Sequence, residues 1–75
     1  MMRDEVRKEI AKAAHFFAKE KVMRDDAAFY ALLLAKMLNE KFELGYADDS
    51  DRFDVLFKEC KSAIWDALTA RHVDA

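Results

Sequence analysis

An all-α fold, a small antiparallel three-helix bundle assembled as a helical homodimer, is what this 75-residue sequence predicts. Three observations carry that expectation. The chain holds one Gly and no Pro, the two residues that punctuate loops and hairpins. Ala, Leu, Lys, Glu and Asp abound while β-branched residues are few, which favours helix over strand. Residues 27–38, AAFYALLLAKML, are apolar at ten positions of twelve, too many for a helix with one wet face.

Composition narrows the class further. A chain of this length is one domain, 1–75, and domains so small lean on disulfides, a metal, oligomerisation or very regular helix packing. The net charge of −2 is close to neutral and by itself implies no nucleic-acid or anionic-membrane partner. Cys60 is the single cysteine, so no internal disulfide forms; at an apolar helical position it is expected to be a buried thiol in a reducing compartment. The start MMRDEVRKEI is charged where a secretory signal has its apolar core. No run approaches the roughly 18 apolar residues that a membrane span needs. The expected location is the cytoplasm.

The first helix is expected over 4–22. Asp4 can cap free N–H groups, and Glu5 adds negative charge where the helix dipole favours it. Val6, Ile10, Ala13, Ala14 and Phe17 then fall on one helical face, opposite Lys8, Lys12, His15 and Lys19. Asp4 with Lys8 and Glu9 with Lys12 have the spacing of helical ion pairs. Phe16 lies off the core stripe. Between the first and second helices, Arg24 suits a helix end and Asp25 and Asp26 a helix start, so a turn is expected there. The alternative, one continuous helix, would bare an apolar face and demand a partner chain.

The second helix is expected over 26–43, with a core face of Ala27, Tyr30, Ala31, Leu34, Met37, Leu38 and Phe42. Its other side begins with Phe29, Leu32 and Leu33 and only later turns polar at Lys36, Asn39, Glu40 and Glu43. Those first three side chains sit on what becomes the solvent face. Gly45 stands where a helix end favours a left-handed residue, and Ser50 or a neighbouring Asp starts the third helix, 51–72. That helix is the most regular, through Phe53, Leu56, Phe57, Cys60, Ala63, Ile64, Ala67 and Leu68, with Trp65 at the stripe's margin.

Chemistry is harder to find. One glycine cannot build a phosphate loop. Cys60, His15 and His72 are too few and too scattered for a zinc motif. Cys60 and His72, twelve residues apart on one helix, stand about 18 Å from each other. The acidic segment Asp48-Asp49-Ser50-Asp51 fails the calcium-loop pattern, with Arg52 at its fifth place and Phe53 where Gly is required. No enzyme, cofactor, metal site or small-molecule substrate is therefore expected.

The function expected is a non-enzymatic protein–protein interaction module: a self-associating helical domain, or a small accessory or inhibitory factor acting on a larger protein. Its interface would use Phe29, Leu32 and Leu33, with Phe16 and Trp65 as aromatic anchors. The alternative is nucleic-acid binding through Arg7, Lys8, Lys12, His15 and Lys19 of the first helix. The second helix is too apolar to read base edges.

Overall fold

The computed structural model describes residues 3–73, with side chains over 3–70. Three helices appear: α1 (Asp4–Lys19), α2 (Ala27–Lys41) and α3 (Asp51–Val73), with a 3₁₀ turn, Arg24–Asp26, before α2. The chain runs up, down and up again, so that the start of α1 meets the end of α2, where the Arg3 guanidinium donates to the Phe42 carbonyl at 3.1 Å. No strand occurs among the described residues.

The long helix α3 packs against both shorter helices, which touch each other far less. Its buried row is Phe53, Leu56, Cys60, Ile64 and Leu68. The faces it meets are rich in small residues: Ala14 and Ala18 on α1, and Ala27, Ala31 and Ala35 on α2. Large side chains from one helix thus enter the space left by alanines on the other two, which fills a small core densely. Val6, Ile10, Leu34 and Leu38 complete it, and among the described residues no polar or charged residue is buried with them.

The two connections end their helices by the same device. After α1, the Val22 N–H donates to the Phe17 carbonyl at 3.2 Å and the Lys21 N–H to Ala18 at 3.3 Å. After α2, Leu44 donates to Asn39 at 2.9 Å and Glu43 to Glu40 at 3.2 Å. This is the Schellman pattern, which requires a left-handed residue just past the helix. Lys21 (φ 61°) and Glu43 (φ 52°) supply it, although neither is glycine. Val22 and Leu44 follow directly and pack against the core.

Several expectations are thereby corrected. The first helix stops at Lys19 rather than 22 and the second at Lys41 rather than 43, because the caps close there. Gly45 (φ 71°) is left-handed but lies beyond the helix end that Glu43 already forms. Asp4 sits inside the first turn, with Arg3 at the cap position and no side-chain cap bond. Asp26 precedes α2 without a side-chain cap bond, so it contributes charge alone. Ser50 does cap α3: its Oγ accepts the Phe53 N–H at 3.1 Å and donates to the Ala47 carbonyl at 2.7 Å. Glu9 reaches across to Lys41 at 3.4 Å instead of pairing with Lys12, and Asp4 forms no ion pair with Lys8.

On α2 the buried face is the expected one at Ala27, Ala31, Leu34 and Leu38, but it is rotated towards Ala35 and away from Met37. Ala35 is wholly buried and Met37 is 52% exposed, because α3 approaches from the alanine side. Asn39, expected on the wet face, is half-buried and clamps the following loop. Its Nδ2 donates to the Tyr46 carbonyl at 2.7 Å, and its Oδ1 accepts the Tyr46 N–H at 3.0 Å.

Two outcomes follow for stability, both measurable by urea denaturation. Lys21→Gly and Glu43→Gly should each stabilise the fold by up to about 1 kcal/mol, since glycine takes the left-handed conformation without steric cost. Destabilisation by both would contradict the two caps. Asn39→Ala should cost about 1–3 kcal/mol, because the loop loses both partners of its clamp.

Candidate interaction surface

With the core face of α2 committed to α3, the opposite face carries what the bundle has not covered. Phe29 is 61% exposed and Leu33 50%, and Leu32 is exposed beside them. Phe29, Leu33 and Met37 recur every four residues, which stacks them along one side of the helix. Lys36 is the one charge among them.

Two apolar grooves flank this ridge. The first, about 440 Å³, runs between α1 and α2 and is lined by Ala13, Phe16, Leu33 and Met37, with Lys12 and Glu9 at its border. The second, about 600 Å³, lies between α2 and the start of α3 and is lined by Phe29, Leu32 and Phe57. Asp48, Asp49, Asp51 and Asp54 give that groove an acidic rim. Aromatic contacts join the two sides under the ridge: Phe16 to Phe17 at 5.8 Å, Phe17 to Tyr30 at 5.1 Å, and Tyr30 to Phe29 at 5.5 Å between ring centres. Such offset and edge-on pairs hold rings in place. The exposed Phe16 and Phe29 therefore rest on half-buried rings rather than swing freely.

Four of the five residues expected at an interface thus fall on one side of the molecule, Phe16 and Leu33 in one groove and Phe29 and Leu32 in the other. Trp65 lines neither. It lies far along α3, where the Arg24 guanidinium sits 5.3 Å from its ring centre. Met37, on the core face by helical period, belongs to the surface; its four-residue spacing from Leu33 is the signal that marks it.

The basic residues divide as well. Lys8, Lys12, His15 and Lys19 are exposed on α1. Arg7 lines a third groove, between α1 and α3, together with Arg3 and Arg52. One continuous basic stripe of all five is not formed.

Cys60 is fully buried in the row that α3 presents to the core. Burial, helped by the neighbouring Glu59 carboxylate, pushes its thiol from the ordinary 9.0 up to about 12. A protonated, inaccessible thiol is no nucleophile. His15 lies exposed on α1, away from it, and the side chain of His72 is outside the described residues. Among the described residues no group of three His, Cys, Asp or Glu side chains is placed to hold a metal ion. No described helix is long and apolar enough to cross a membrane.

The raised thiol fixes the sign of one pH effect. The folded state holds the Cys60 proton more tightly than the unfolded state, so its contribution is complete below about pH 9 and is lost as the pH climbs towards 12. Urea midpoints should therefore fall between pH 9 and 11 more steeply for the wild type than for Cys60→Ala, and equal slopes would refute the assignment. Comparison with known proteins returns no match: no family model fits the chain, and neither a curated protein nor a solved structure aligns with it.

Proposed function

We propose that the chain is a self-associating helical module, two copies of which join through the outer ridge of α2. The observation that carries this reading is the self-complementary layout of that ridge. Its apolar centre is Phe29, Leu32 and Leu33; Asp25 and Asp26 stand at one end and Lys36 towards the other. A two-fold interface brings the same patch together with itself, reversed. When α2 packs antiparallel on its copy with Phe29 opposite Leu33, the pairing that puts Lys36 opposite Asp26 of the second copy follows from the same register. Glu40 lies beyond that contact, outside the apolar centre.

Size is also suitable. Five side chains, Phe16, Phe29, Leu32, Leu33 and Met37, leave between 39% and 61% of their surface bare. At roughly 150–250 Å² per large apolar side chain, that amounts to about 500 Å² per copy. Two copies together approach the ~1,000 Å² at which a specific interface begins. The acid-rimmed groove at Phe29, Leu32 and Phe57 favours a second reading, a basic segment of a larger protein seated on the same ridge. Nucleic-acid binding has less support, since Arg7 faces a different groove from Lys8, Lys12, His15 and Lys19.

Light scattering coupled to gel filtration tests the first reading. The wild type should show twice the 8.7 kDa chain mass at micromolar concentration. Leu33→Glu should be monomeric with unchanged helix content. Lys36→Asp should weaken the dimer, and adding Asp25→Lys and Asp26→Lys should restore it. A wild type that stays at one chain mass at high micromolar concentration overturns the proposal.

A further inference from the structure

We propose that the groove between the starts of α1 and α3 is a binding site for a small organic anion, a phosphate or carboxylate carried on an apolar body. Three arginines, Arg3, Arg7 and Arg52, line one groove of about 560 Å³, and Glu59 is the only acid in its lining. The chain as a whole is close to neutral, with a net charge of −2, so three arginines against one acid in a single lining is a local excess of positive charge.

Of the carboxylates near this end, one pairs with the groove's own Arg3 and another with Lys58. Glu9 holds Lys41 at 3.4 Å and Asp54 holds Lys58 at 2.9 Å. Glu5 lies 3.8 Å from Arg3. Neither Arg7 nor Arg52 has a carboxylate within 4.0 Å among the described residues. Three like charges around one groove repel each other, and an anion between them relieves that repulsion. Guanidinium groups are suited to the task because their forked N–H donors match the two oxygens of a carboxylate or phosphate.

One of the three is already positioned. The Arg3 guanidinium lies 5.6 Å from the centre of the Phe42 ring and donates to the Phe42 carbonyl, which uses one of its five donors. The rest of the lining explains the apolar body. Val6, Leu44, Tyr46 and Val55 form the floor, and Val55 is 56% exposed although it is β-branched and apolar. About half of the groove's surface is apolar, so it offers one small ligand both charged donors and apolar contact.

The groove is on the opposite side of the molecule's packing from the α2 ridge, so the inference does not rest on self-association. Phenyl phosphate is the probe, titrated against labelled protein and followed by amide chemical shifts, with inorganic phosphate and benzyl alcohol as its two halves. Phenyl phosphate should shift the amides of Arg7, Tyr46 and Val55 saturably, and about tenfold more tightly than either half alone. The double variant Arg7→Gln, Arg52→Gln should lose about tenfold or more in affinity, the scale of lost charge-assisted hydrogen bonds. Glu59→Gln should bind more tightly, because the one opposing charge is gone; a merely structural role for these residues would not produce that gain. The monomeric Leu33→Glu chain should bind like the wild type. Shifts that spread over the other basic surfaces without saturating, or that persist in the double variant, would overturn the site. So would affinity for phenyl phosphate no greater than for inorganic phosphate.

Discussion

The packing of α3 into two alanine-lined faces is the constraint on which the rest of this molecule depends. A chain of 75 residues has little apolar surface to spare, and no disulfide stabilises it. Stability therefore rests on how closely three helices approach. Phe53, Leu56, Ile64 and Leu68 supply bulk from one side, and Ala14, Ala18, Ala27, Ala31 and Ala35 supply room on the other.

That arrangement decides where the remaining apolar residues go. Since α2 turns its small residues inward, its large ones, Phe29, Leu32, Leu33 and Met37, are left outward. An exposed apolar side chain on its own needs no explanation. A ridge of four with a groove on each flank is a contiguous patch rather than a scatter of single residues. The same geometry separates this ridge from the arginine-lined groove at the other face. The apolar ridge belongs to α2, whereas the arginine-lined groove lies between α1 and α3.

Local details show the connections bearing strain to hold that geometry. Left-handed lysine and glutamate residues end the first two helices, and each costs more than glycine would. They are tolerated because the residues that follow, Val22 and Leu44, are drawn into the core. The side chain of Asn39 then replaces the backbone partners that the loop after α2 would otherwise lack. Thr69 is a small exception to the general satisfaction of polar groups: its hydroxyl is buried without a partner.

Much of the architecture could be read from the sequence because it depends on local rules. Helix content followed from the near-absence of Gly and Pro, and the buried row of α3 from its regular spacing. The turn near residues 24–26 followed from the Arg-Asp-Asp charge pattern, and the exposed trio on α2 from the point at which its outer side changes character. What the sequence could not determine was anything set by neighbours distant in the chain. Helical period places Met37 and Ala35 on opposite edges of one face, and only the direction from which α3 approaches makes the first exposed and the second buried. Lys21 and Glu43 carry no mark of left-handed backbone, since the bonds that stabilise it come from the folded cap. Arg3, Arg7 and Arg52 are unremarkable in sequence, and nothing short of the parallel alignment of α1 and α3 brings them to one groove. Periodicity is a property of each helix alone, whereas rotation, capping strain and convergence of charge are properties of the helices packed together.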